Sequence, residues 1–221
     1  MAVLITGASG GLGASVVEQF LNAGAEVTGV ARSLSEGHVK APRLRWIAAD
    51  LTQVAECGRV ATEAGPVDVL VHLMGGFAGG KPVQATDDET WDRMMNLNLR
   101  SAFYMIRAVL PGMIERKRGR ILAVGSRTGA QPAATLSAYG ASKAALTSLI
   151  QAVALESKEN GITANVILPS VIDTPVNRAA MPSMDHSKWV RPESIAKLLV
   201  WLASEDASDV NGAAIPIYGR A

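Results

Sequence analysis

The 221-residue chain has one cysteine, Cys57, so no intrachain disulfide can form and a reducing compartment suits it. Its three histidines are scattered and lack the spacing of a metal site, so no metal is expected. No sign of charge dominates: 21 Lys and Arg against 20 Asp and Glu leave +1, which argues against a nucleic-acid-binding surface. Long apolar runs are missing too. Ala2-Val3-Leu4-Ile5 is too short for a signal peptide or a membrane span, and later stretches are broken by charge, Gly or Pro. A cytoplasmic protein with no membrane partner is the expectation.

What remains is a chain 48% hydrophobic and 19% charged, suited to one well-buried domain over residues 1–221. Short apolar runs read as strands at Val3–Thr6, Glu26–Ala31, Leu44–Ala48, Val67–His72, Arg120–Gly125, Thr163–Leu168 and Ala213–Ile217. Helical patterns fill the gaps near Gly11–Ala23, Thr52–Ala64, Asp88–Arg118, Ser137–Asn160 and Pro192–Ser204. Strands nearly continuous in Val, Ile, Leu and Ala are covered on both faces. The alternation predicts an α/β fold: a Rossmann-like, doubly wound parallel sheet of about seven strands with helices on both sides. The basic run Arg116-Lys117-Arg118-Gly119-Arg120 reads as a helix end, with Gly119 able to take the left-handed cap.

The first strand leads directly into Thr6-Gly7-Ala8-Ser9-Gly10-Gly11-Leu12-Gly13. Gly7, Gly11 and Gly13 permit a tight turn, close approach to a pyrophosphate and close helix–strand packing, while the helix N-terminus offers N–H groups to phosphate. An acidic residue ending the second strand would select NAD; here the strand ends Val30-Ala31-Arg32-Ser33. Arg32 offers a planar cationic fork for a 2′-phosphate, so NADP(H) is favoured over NAD(H). Asp50-Leu51, past the third strand, suits the adenine edge, although Asp50 before Thr52 could equally start a helix.

Tyr139 and Lys143 stand four apart within good helix formers, which puts both on one helix face. A phenol of pKa about 10 is a poor base near neutrality, and a neighbouring ammonium stabilises its phenolate. Ser126, at the end of the fifth strand, can orient a substrate oxygen and stabilise developing charge. Each residue alone has an ordinary structural explanation; their combination with the glycine turn points to proton chemistry beside a dinucleotide.

These motifs resemble the short-chain dehydrogenase/reductase family, in its compact form, along essentially the whole chain. TGASGGLG resembles that family's TGxxxGxG turn, and Ser126, Tyr139 and Lys143 resemble its catalytic Ser and YxxxK. The resemblance implies that Asn98 completes a catalytic tetrad by holding a water in a proton relay toward Lys143, which bridges the nicotinamide ribose. It implies cofactor contacts from Gly7, Ser9, Gly10, Gly11, Leu12, Gly13, Asp50, Leu51, Met74, Gly75, Tyr139 and Lys143. Asn165–Thr174 resembles the segment that contacts the nicotinamide half, which implicates Pro169, Ile172 and Thr174. A homo-oligomer, dimer or tetramer, built on the two long helices is likewise implied.

Three departures stand out. The family's NNAG turn is His72-Leu73-Met74-Gly75, which removes two bracing Asn side chains; His72 itself reads as structural. Ser170 replaces a usual Gly, and Gly10 stands where many NADP-preferring members carry a basic residue. A substrate pocket is expected from Phe77 and its glycines, the 127–138 stretch and a substrate loop or lid at 169–190. That loop carries Met181, Met184 and Trp189, fit either for an apolar lid or for packing on their own core. His186 reads as a solvated loop histidine. The expected substrate is a small carbonyl or alcohol. Gly75–Gly80 also resembles the dihydropteridine reductase loop, so a pteridine or quinonoid substrate is one alternative. A non-catalytic NADP-binding sensor or scaffold is the other.

Overall fold

The computed structural model describes residues 1–34 and 39–220; His38 lies outside them. Seven strands, β1 (Ala2–Thr6), β2 (Glu26–Ala31), β3 (Leu44–Ala48), β4 (Val69–His72), β5 (Gly119–Val124), β6 (Ile162–Pro169) and β7 (Ala214–Ile217), form one sheet in the order β3-β2-β1-β4-β5-β6-β7. Every pairing is parallel, so the expected Rossmann-like α/β sheet is the fold observed.

Helices α1 (Gly13–Asn22), α2 (Val54–Ala64), α3 (Asp88–Met95), α4 (Ser101–Glu115), α5 (Arg127–Ala130), α6 (Ser137–Ser157), α7 (Pro175–Ala180) and α8 (Pro192–Ala203) connect the strands. Alternate strand residues feed two cores. Leu4, Leu70, Ile121 and Ala123 pack with Cys57, Met105 and Leu146 on one face, while Ile5, Val71 and Leu122 pack with Val16, Phe20 and Leu199 on the other. Each buried Val, Leu, Ile, Phe or Met among them contributes about 1.5–3 kcal/mol by removing apolar surface from water. Among the described residues, no helix is long and apolar enough to cross a membrane.

The helix expected over 88–118 differs in two ways. A π turn at Asn96–Arg100 joins α3 to α4, and α4 stops at Glu115. The left-handed residue behind it is Lys117 (φ 50°), not Gly119. Gly119 is instead the first residue of β5, where a Cβ would fall 2.6 Å from Met113 Sδ. The glycine serves close packing there.

Parallel register sets the crest of the sheet. Thr6 pairs with Val30 on one side and His72 on the other, and His72 pairs with Ala123. Strand ends from β1, β2, β4 and β5 therefore lie level, at the carboxyl edge where open α/β sheets bind ligands.

Candidate active site

The glycine turn spans that edge. Gly7 takes φ +66°, a conformation favouring glycine, and its missing Cβ would fall 2.8 Å from Met74 N. At Gly13 a Cβ would meet the Ala8 carbonyl oxygen at 2.2 Å, so α1 leaves the turn in van der Waals contact with it. Ser9, Gly10 and Gly11 are exposed, and Leu12, preceding α1, supplies no side-chain cap. The first turn of α1 holds no acid. A helix N-terminus left uncapped above an open turn suits a pyrophosphate. Gly11 faces Thr174, whose Cβ would lie 3.0 Å from an added Cβ, so a side chain at Gly11 would close the space between turn and loop. These residues fit a dinucleotide.

Other predicted contacts lie along the same edge. Arg32 follows β2 and is exposed. Asp50 follows β3 and accepts from Thr52 N at 3.0 Å and Thr52 Oγ1 at 2.7 Å, forming a turn ahead of α2 instead of capping it. Leu51 sends its side chain into the core, which leaves only its main chain for a ligand. Pro169 ends β6, Ile172 bridges to Val190, and Thr174 caps α7 by accepting from Asn177 N at 3.3 Å. Accepting that bond leaves the Thr174 hydroxyl proton available to a ligand.

Residues 169–190 are more ordered than an irregular lid. They contain α7 and a 3₁₀ turn at His186–Lys188, with Asp173 and Arg178 paired. Trp189 is buried, Met184 is 54% exposed, and the loop's residues thus divide between core and solvent. His186 Nε2 donates to the Met181 carbonyl oxygen at 2.9 Å, so Nε2 carries the ring proton. The ring also lies 4.4 Å from that of Trp189, so this half-buried loop histidine is tied to its own loop.

Ser126 and Tyr139 meet. Ser126 follows β5, accepts from Thr128 N at 3.2 Å to cap α5, and turns its hydroxyl toward the Tyr139 phenol. Burial pushes the phenol above its ordinary value, and Ser126 opposes that rise. Lys143, one turn further along α6, is buried and donates from Nζ to the Val124 carbonyl at 2.9 Å. Desolvation brings its ammonium down to about 8. Lys143 spends one hydrogen bond on the end of β5, and Ser126 is the side chain beside Tyr139 that opposes the rise.

Asn98 sits fully buried in the π turn. Its Oδ1 accepts from Gly76 N at 2.8 Å, and Nδ2 donates to the Gly76 carbonyl at 3.1 Å and Ser142 Oγ at 3.0 Å. Ser142 in turn donates to the Tyr139 carbonyl at 2.7 Å. A Cβ on Gly75 would fall 2.7 Å from Asn98 Oδ1 and 3.3 Å from Lys143 Nζ, which fixes Asn98, Gly75 and Lys143 as neighbours. Phe77, 67% exposed, sets its ring edge-on to Tyr139 at 5.0 Å.

Sequence reasoning missed three participants. Ser142, the buried polar residue between Tyr139 and Lys143, was open to detection by helical spacing. Thr6 and Ser101, which flank His72, carried no local signal.

Dinucleotide-binding α/β proteins are the class this fold defines. A family model described as short chain dehydrogenase matches residues 1–185, and the chain belongs to that family of oxidoreductases. It is 30% identical to a 3-oxoacyl-acyl-carrier-protein reductase of Vibrio harveyi, covering 98% of this chain and 95% of that protein. It is 31% identical to the 2,3-dihydro-2,3-dihydroxybenzoate dehydrogenase of Escherichia coli, over 94% of this chain and 91% of that one. Among solved structures, the 3-ketoacyl-(acyl-carrier-protein) reductase of Brucella melitensis complexed with NADH superposes with a TM-score of 0.87 at 26% identity, covering 99% and 97% of the two chains. The family uses a nicotinamide cofactor.

Proposed function

We propose that the protein interconverts a small carbonyl and its alcohol, with NADP(H) preferred to NAD(H). The observation that carries this reading is the grouping of Ser126, at the end of β5, with Tyr139 and a buried Lys143 on α6, whose Nζ is tied to the last carbonyl of β5 at 2.9 Å. When bound, the cofactor supplies or accepts the hydride. In the reductive direction Tyr139 Oη gives its proton to the substrate oxygen, which Ser126 Oγ orients. In oxidation the same oxygen takes the proton back.

The turn from Gly7 to Gly13 binds the pyrophosphate, with Ser9 and Leu12 lending main-chain or hydroxyl donors. Arg32 takes the 2′-phosphate and Asp50 the adenine edge. Met74 and Gly75 allow close approach, and Pro169, Ile172 and Thr174 receive the nicotinamide half. Lys143, cationic below about pH 8, holds the ribose hydroxyls. The side chain of Asn98 is committed to Gly76 and Ser142, so a relay role falls to its main chain, which the π turn releases from the regular ladder. All 221 residues serve as one catalytic unit, and 169–190 line the substrate side. Phe103, Ile114 and Leu155, exposed on α4 and α6, are where a homo-oligomer would pack.

The relatives named above include an oxoacyl reductase and a dihydrodiol dehydrogenase, which supports a carbonyl/alcohol substrate without setting direction. A second reading, reduction of a flat pteridine or quinonoid ring, draws support from Phe77, whose exposed ring lies beside Tyr139. A mere NADP sensor has no use for a buried ammonium one turn along α6 from a tyrosine beside Ser126. The test is NADPH and NADH consumption over a panel of ketones, aldehydes, quinones and a quinonoid dihydropteridine. Turnover of a ketone or aldehyde supports the first reading; turnover of the pterin alone replaces it with the second. No turnover with any of them would leave the sensor.

A further inference from the structure

His72 is a buried imidazole that the reaction proposed above does not use. It stands where the family resemblance places an Asn, and both of its nitrogens are engaged. Nδ1 lies 3.0 Å from Thr6 Oγ1, and Nε2 lies 3.3 Å from Ser101 Oγ. Beyond these, Met74 N donates to Thr6 Oγ1 at 3.4 Å and Ser101 Oγ donates to the Leu97 carbonyl at 2.8 Å. Thr6, His72 and Ser101 are at most 1% exposed, so each proton must be satisfied inside the protein.

Proton counting gives the chain a direction. The Leu97 carbonyl can only accept, so the single Ser101 hydroxyl proton points there. Ser101 Oγ must then accept from His72, which places the ring proton on Nε2. A neutral ring with its proton on Nε2 has a lone pair on Nδ1, which receives the Thr6 hydroxyl proton. Thr6 Oγ1 is thereby free to accept from Met74 N. A proton added at Nδ1 would oppose the Thr6 hydroxyl and strand its donor. Burial and the nearby Lys143 charge both disfavour that added proton and hold His72 down to about 3.

The ends of this chain are significant. Thr6 precedes Gly7, whose open α-carbon abuts Met74, and Leu97 and Ser101 bracket Asn98 in the π turn. Asn98 then grips Gly76 and Ser142, and Ser142 reaches Tyr139. We propose that His72, as the neutral Nε2–H tautomer, is a positioning residue that locks the glycine turn in register with the π turn and, through Asn98, with Tyr139. The lock replaces the Asn braces that His72-Leu73-Met74-Gly75 lacks. Its catalytic consequence rests on the proposed function; the hydrogen-bond chain does not.

Nitrogen-15 NMR of histidine-labelled protein tests the chain directly, with His72→Asn assigning the resonance. The expected spectrum shows protonated Nε2 and bare Nδ1, unchanged from about pH 7.5 to about pH 5, where a free histidine would titrate. A protonated Nδ1, or titration near pH 6.5, overturns the proposal. Kinetics test the lock. Ser101→Ala and Thr6→Val do not touch each other's partner except through His72, and each is expected to lower kcat about tenfold while the NADPH Kd stays within about threefold. Combined, they should cost little more than the worse single change, because one broken chain cannot be broken twice. Multiplying losses, or singles that leave kcat intact, would overturn the positioning role. Wild-type protein inactive on every carbonyl would contradict the proposed function, and the tautomer measurement would still decide the chain.

Discussion

Lys143 donates from Nζ to the carbonyl oxygen of Val124 at 2.9 Å, anchoring a buried ammonium on the last residue of β5. Desolvation sets this group at about 8, well below an ordinary lysine. Near neutrality it is still mostly charged, and it loses that charge as pH rises through 8. Burial raises Tyr139, so the phenol keeps its proton beyond the point where the lysine has lost its own.

A pH profile follows. kcat/KM for NADPH, which reports the free enzyme, should be level below the Lys143 value of about 8 and fall about tenfold per unit above it. Lys143→Arg carries a charge that persists to high pH, so whatever activity it retains should show no such limb. A limb unchanged in that variant would assign it to another group.

Ser126→Ala removes two contacts at once. Loss of the α5 cap should cost about 0.5–2 kcal/mol of stability, measured by urea unfolding. Loss of the partner of Tyr139 should lower kcat by about 10²–10³. A variant that loses stability and keeps kcat would reduce Ser126 to a helix cap.

Gly75→Ala pushes a methyl against Asn98 Oδ1 and Lys143 Nζ, at 2.7 and 3.3 Å. Overpacking of this kind costs about 1–3 kcal/mol, and here it also displaces the groups beside Tyr139. Activity should fall further than stability explains. Gly58→Ala is the control: Gly58 lies on the exposed side of α2, an added Cβ meets nothing within 4 Å, and the helix should gain about 0.5–1 kcal/mol.

The contrast between those two glycines shows what the sequence disclosed. The strands were legible because a buried parallel strand is almost uninterrupted Val, Ile, Leu and Ala, as in Ile121-Leu122-Ala123-Val124. Tyr139, Lys143 and Ser126 were legible because helical spacing and a strand end give them a common side. The π turn was not: Asn96–Arg100 continues an ordinary helical pattern, and its change in hydrogen bonding leaves no mark on residue type. Helix α5 is four residues long, too short for periodicity. The orientation of Lys143 toward Val124 and the brace around His72 depend on contacts 19, 66 and 29 residues apart, which only the folded sheet brings together.

Arg32→Ala tests cofactor choice. Arg32 is exposed at the end of β2, and with Gly10 in place of a basic residue it is the one predicted contact that would meet a 2′-phosphate. The ratio of NADPH to NADH affinity should fall by about 10-fold to 100-fold, as expected for one charge-assisted contact of about 1.5–3 kcal/mol. An unchanged ratio would remove the basis for preferring NADP.

The most direct test of the account is Tyr139→Phe, assayed on whichever carbonyl the wild-type protein reduces, with NADPH affinity measured in parallel. The change deletes one oxygen from a half-buried ring already packed against Phe77, so the fold and the cofactor site should persist. The account predicts a loss of at least about 10²-fold in kcat with NADPH Kd within about threefold of wild type. Turnover by Tyr139→Phe at the wild-type rate would contradict it.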